Sequence, residues 1–306
     1  MTTRLRGVAL VAALSLLVLA CGSTPTPTPS APVPSASGQP SILPIAINDG
    51  YRVGDNRILF TLTDQTGQNQ VAGPDRTLTI GYHGPKGETV PATRQTFIWA
   101  VEGVNGVYVG DATFASAGQW IADFSTSAPN APTETTTFSF PVRERLDVIS
   151  PGDAAPSVET PTLADVGGDV AKISSDPKPV KGFYEVSEAD ALAAKKPFVL
   201  IFATPKFCTS TVCGPTLDKL KPVAAAHPEM TFINVEPYKL EFTNGQLQPV
   251  MTGSDLTPVE ATLAFKLSTE PYVFVVGADG KVSASFELVF APSEIETAIQ
   301  QVEKAG

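Results

Sequence analysis

Histidine occurs only twice in the 306 residues, at His83 and His227, so chemistry built on imidazole has little material here. No P-loop, GxGxxG, HExxH or Ser-His-Asp arrangement is visible, and no cofactor is expected. Cations are also scarce. Twenty-one Lys and Arg face thirty-one Asp and Glu, for a net charge of -10 and no obvious footprint for nucleic acid or an anionic membrane surface. No arginine follows Arg145. The apolar run Val8–Ala20 is too short to span a bilayer.

What is present begins with that run. Arg4 and Arg6 precede it and Cys21 follows it, the layout of a signal peptide over residues 1–20. Val-Leu-Ala-Cys resembles the bacterial lipobox, which makes Cys21 the expected site of lipidation and places the protein on the extracytoplasmic side of the cell membrane. An ordinary secretory signal would instead leave Cys21 a spare thiol, a liability outside the cell. Cleavage removes two arginines and no acids, taking the charge from -10 to -12. With Cys21 acylated, Cys208 and Cys213 remain, and an oxidising compartment permits a disulfide between them.

Residues 21–41 are nearly all Pro, Thr, Ser, Ala and Gly, an extended tether without enough apolar surface to fold. From 42 to 145 short alternating segments recur at 57–63, 77–83, 106–114, 118–125 and 135–142, separated by turn residues such as Asp64–Gly67 and Gly84–Pro85. That spacing indicates an all-β sandwich. Its last hairpin, residues 106–124, resembles small immunoglobulin-like domains of bacterial copper-resistance proteins. Some relatives bind copper through His and Met, but here only His83 is available, so the domain reads as a spacer or partner-binding module. Residues 146–180 read as a linker, or as a segment wrapping a neighbouring domain.

From 181 to 306 strand and helix patterns alternate. Ser187 caps a short helix over 187–194, Phe198–Ala203 is a continuous apolar strand, and a helix follows at 215–226. A buried strand covers 231–238, a strand and its hairpin partner meet at Asp279-Gly280, and an amphipathic helix closes the chain at 293–303. This order, with Cys208 and Cys213 after the first central strand and Pro271 before the hairpin, resembles the thioredoxin fold. The fold class expected is therefore two domains, an N-terminal all-β immunoglobulin-like sandwich and a C-terminal α/β thioredoxin-like domain.

The resemblance implies thiol–disulfide exchange with exported thiol- or disulfide-containing proteins. Cys208 would be the attacking and Cys213 the resolving cysteine. Pro271 would take the family's cis-proline position, with Glu270 and Phe207 beside the partner. Three features depart from the family. Residues five apart in an α-helix are about 8.6 Å apart at Cα, beyond the ~7 Å a disulfide tolerates, so an oxidised pair requires a loop over 208–213 and a helix beginning near Pro215. The central strand lacks the family's buried acid. Lys206 and the helix start would lower a thiol pKa, whereas Glu270 would raise it.

The four-residue spacing also resembles one type of peroxiredoxin, but Thr204 stands four rather than three residues before Cys208 and the required arginine is missing. A copper clip would need a third ligand; His227 reads as a solvated helix-end residue, and no metal site is expected. The remaining alternative to exchange is a non-enzymatic binding lipoprotein whose disulfide is structural. Closing so short a loop is worth only ~2 kcal/mol in chain entropy. Trp99, Trp120, Tyr238 and Tyr272 read as packing or rim residues.

Overall fold

The structure, a computed structural model, describes residues 40–305, which fall in one compact unit beginning at Pro40. The expected signal segment, Cys21 and most of the tether lie outside the described residues. Among the described residues, no helix is long and apolar enough to cross a membrane.

The first part is built from β1 (Ile42–Ala46), β2 (Tyr51–Arg52), β3 (Gly54–Asp64), β4 (Thr77–His83) and β5 (Thr89–Arg94), then β6 (Thr96–Val101), β7 (Asn105–Phe114), β8 (Gly118–Ser127) and β9 (Glu134–Arg143). They form a four-stranded sheet, β1-β3-β7-β6, facing a five-stranded sheet, β2-β9-β8-β4-β5. Alternation decides which side chains meet between them. On β8, Trp120, Ala122 and Phe124 point inward and are buried, while Ile121 on the opposite face is exposed. Ile58 and Phe60 from β3 join Leu78, Ile80, Tyr82, Phe114 and Phe140 in the same core, where T-shaped ring pairs such as Phe60–Phe124 recur.

β3 breaks the alternation, because Ile58 through Thr63 are all buried. At Leu59 its second face is covered by the C-terminal part, while Thr61 on the same face bonds Gln70. Leu59, Ala100 and Val107 form an apolar cluster with Val212 and Val289. Polar contacts flank it. Arg57 binds Glu294 through both carboxylate oxygens at 2.7 and 2.9 Å, and Lys219 Nζ donates to the Trp99 carbonyl at 2.6 Å. The Asp49 N–H donates to the buried Glu287 carboxylate.

The C-terminal part contains α1 (Glu188–Ala193), β10 (Phe198–Phe202), α2 (Cys213–Ala226), β11 (Thr231–Val235), β12 (Leu240–Thr243) and β13 (Gln246–Pro249). β14 (Met251–Thr252), β15 (Asp255–Leu256), α3 (Glu260–Ala264), β16 (Tyr272–Val276), β17 (Val282–Glu287) and α4 (Pro292–Ala305) follow. Its four-stranded sheet has the order β11-β10-β16-β17, with β10 and β11 parallel and the other pairs antiparallel. β10 and β16 are buried on both faces, as their unbroken apolar sequences require. Ser187 caps α1, its hydroxyl accepting from the Asp190 N–H at 3.1 Å.

The described residues depart from the expected fold class: they are predominantly β, with five sheets and four short α-helices, and among them no C-terminal α/β thioredoxin-like domain stands beside an independent sandwich. Two of the helices, α1 and α3, have only six and five residues, too short for layers of helix over a sheet. Residues 240–256, which carry no strong apolar pattern, add the hairpins β12–β13 and β14–β15, the first turning at Asn244-Gly245 with both residues at positive φ. Residues 146–180 wrap the C-terminal part. Val148, Ala155 and Val158 enter its core, and Ala154 bridges to Lys281.

Candidate functional site

β10 ends at Phe202, and the chain turns through Pro205 and Phe207 before entering the loop 208–212. Cys208 and Cys213 are joined by a disulfide across this loop, with Cα atoms 6.0 Å apart, inside the ordinary range. The loop is not helical and Thr211 takes φ +65°, as the pairing demands. α2 starts at Cys213 rather than near Pro215. Pro215 occupies the first turn, where its missing N–H would be unpaired in any case.

The two sulfurs have different surroundings. Cys213 is fully buried and Cys208 is half-buried. The Cys213 N–H donates to Cys208 Sγ at 3.3 Å, and Ser210 Oγ lies 3.3 Å from the same sulfur. Phe207 is half-buried, with the Lys206 ammonium 5.4 Å from its ring centre. Beside the loop a cleft of about 490 Å³ is lined by Ser175, Pro177, Lys206, Gly214 and the Lys221 pair with Asp176 and Asp218.

Glu270 and Pro271 reach the loop from the start of β16, and the peptide bond between them is cis. Pro271 is buried. The Glu270 carboxylate, only 2% exposed, does more than sequence alone suggested. One oxygen accepts from the Thr209 N–H and hydroxyl, both at 2.7 Å, and the other from the Tyr238 hydroxyl at 2.5 Å. Ser210 Oγ donates to the Glu270 carbonyl at 2.6 Å. Four hydrogen bonds therefore converge on Glu270, three of them from the loop. Held beside this carboxylate, the Tyr238 phenol resists ionisation, chiefly through burial.

Glu236 is a residue that sequence reading passed over. It follows β11 and is buried, and desolvation raises its carboxyl pKa to about 7. Oε1 accepts from the Ser175 N–H at 2.6 Å, while Oε2 has no partner. Ser175 Oγ lies 3.4 Å from Thr204 Oγ1 and accepts from the Lys206 N–H at 3.2 Å. A single Glu after an apolar run carries no sequence signal of burial.

The histidines lie elsewhere. His83 pairs with Asp123 at 2.6 Å on the exposed face of the sandwich. His227 caps the end of α2, 3.7 Å from Glu303. Trp120 is fully buried, Trp99 and Tyr238 are partly so, and Tyr272 stacks on Phe274.

The chain matches no known family description, and no curated protein matches it. Among solved structures, a DUF4426 family protein from Pseudomonas aeruginosa PAO1 is 13% identical, with 34% of this chain and 91% of that one covered and a TM-score of 0.26. A multi-modular cell-surface chitinase from Paenibacillus sp. strain FPU-7 is 14% identical over 64% of this chain and 16% of its own, with a TM-score of 0.22. Likeness at this level carries no argument about fold or function.

Proposed function

We propose that this protein is a non-enzymatic, extracytoplasmic binding lipoprotein, held to the membrane through Cys21, in which the Cys208–Cys213 disulfide is a structural clip. The attachment of the loop carries this reading. Thr209 and Ser210 are bonded to Glu270, and Val212 is inserted into the apolar cluster against β3 and β7. A loop fixed at three of its residues is suited to holding the sandwich against the C-terminal part. The test is to compare wild type with C208A/C213A. A clip predicts a lower melting temperature, an unchanged set of bound partners, and no mixed disulfides trapped by C213S. Trapped partners that require Cys208 would overturn it. Palmitate labelling lost in C21S tests the anchor.

A second reading, exchange with exported thiol- or disulfide-containing proteins, is favoured by the unequal burial of the two sulfurs. An incoming thiolate would attack half-buried Cys208 Sγ, the S–S bond would break, and Cys213 would leave as a thiolate to resolve the mixed disulfide later. A reduction potential below about -300 mV argues for the clip, and a higher one for exchange.

A further inference from the structure

We propose that reduction converts the clip into a binding site for a divalent metal of zinc type, with Cys208, Cys213 and Glu270 as its protein ligands. One ligand atom from each, the two Sγ atoms and a carboxylate oxygen, lie within 4.8 Å of one another. The third ligand that neither histidine supplies thus comes from the chain preceding β16. The proposal holds whether the pair is an inert clip or exchanges with partners.

Three observations carry it beyond proximity. First, Glu270 is buried, yet among the described residues none of its contacts is a salt bridge. A buried carboxylate without a cation is costly, and a metal ion would compensate it. Second, its orientation is fixed by Tyr238 and Thr209, the outer hydrogen bonds that hold a metal ligand in place. Third, the Cys213 N–H beside Cys208 Sγ is a donor suited to a thiolate.

With Zn–S bonds of about 2.3 Å at a tetrahedral angle, the sulfurs would stand roughly 3.8 Å apart. Cα atoms 6.0 Å apart allow that opening by side-chain rotation. Two sulfurs and one carboxylate oxygen select zinc over calcium or magnesium, which take oxygen alone. Three protein ligands would leave the fourth tetrahedral position to water.

A dithiol such as dithiothreitol gives two electrons and two protons to the disulfide and becomes a cyclic disulfide, leaving two protein thiols. The divalent ion then displaces both thiol protons to the buffer as two metal–sulfur bonds form.

The test titrates Co²⁺ into anaerobic, chelator-treated, full-length reduced protein, followed by Zn²⁺ displacement. Expected are one Co²⁺ per chain, a near-ultraviolet thiolate-to-cobalt band, tetrahedral visible bands and release of two protons, none of which the oxidised protein shows. E270Q should bind at least about tenfold more weakly, and C208S should lose the intense thiolate band. Zinc K-edge absorption on the wild type gives a readout independent of variant folding, with two sulfurs and two lighter atoms expected. Failure of the reduced wild type to bind would overturn the proposal, as would a shell of four sulfurs. A folded E270Q with wild-type affinity would reduce the site to simple dithiol chelation.

Discussion

Reducing the Cys208–Cys213 disulfide in the presence of a chelator should lower thermal stability by a small, calculable amount. The bond closes a six-residue loop, for which chain entropy gives about 7.4 cal/mol/K, or roughly 2.2 kcal/mol at 25 °C. The 266 described residues have an unfolding entropy of about 0.56 kcal/mol/K near their midpoint, so the expected drop is about 4 °C. Differential scanning calorimetry of oxidised protein, reduced protein and C208A/C213A measures it. The hydrogen bonds from Thr209 and Ser210 to Glu270 do not involve the sulfurs, so the loop should keep its place after reduction. A fall of 10 °C or more would refute this. It would mean that the covalent bond, rather than Glu270 and Val212, holds the loop against the sandwich.

Other perturbations test neighbouring parts of the same account. V212A removes two methyl groups from the cluster shared by β3, β7 and the loop, and should cost about 2 kcal/mol in denaturant unfolding while speeding reduction of the disulfide by dithiothreitol. R57A should cost about 1–3 kcal/mol, because Glu294 and the Val289 carbonyl lose a charged donor at a half-buried junction; an R57A midpoint equal to wild type would show the pair to be idle. Glu236 has its pKa raised from 4.5 to about 7 by burial. The folded state therefore holds a proton that the unfolded chain has released. This contribution to stability is fully present below pH 4.5 and is lost as pH rises toward 7, by at most about 3 kcal/mol. E236Q should flatten that part of the stability–pH curve, and an unchanged slope would remove Glu236 from the explanation.

Strands of the sandwich such as β4 and β8 were legible because each buries one face. The segment 77–83 coincides with β4, and 106–114 and 118–125 fall within β7 and β8. The apolar run at 198–202, the Asp279-Gly280 turn and the last helix were equally plain. What could not be read was how the parts join. Leu59 looked like one more strand residue, and only the structure reveals that Val212 and Val289, more than 150 positions later, cover it. The two-domain expectation failed partly for that reason, and partly because residues 240–256 pair into exposed hairpins that leave little apolar periodicity. At the candidate site the loop followed from peptide geometry once Cys208 and Cys213 were taken as bonded. The convergence of Tyr238, Thr209 and Ser210 on Glu270 did not, since it joins three distant stretches through polar side chains, which carry no periodic signal.

The two-sided burial of β3 makes the halves poor candidates for separate expression. Cleaving the chain after Arg145 would bare Leu59, Ala100 and Val107 on one fragment and Val212 and Val289 on the other. Each product would carry a sticky oily face, inclined to associate with copies of itself rather than remain monomeric.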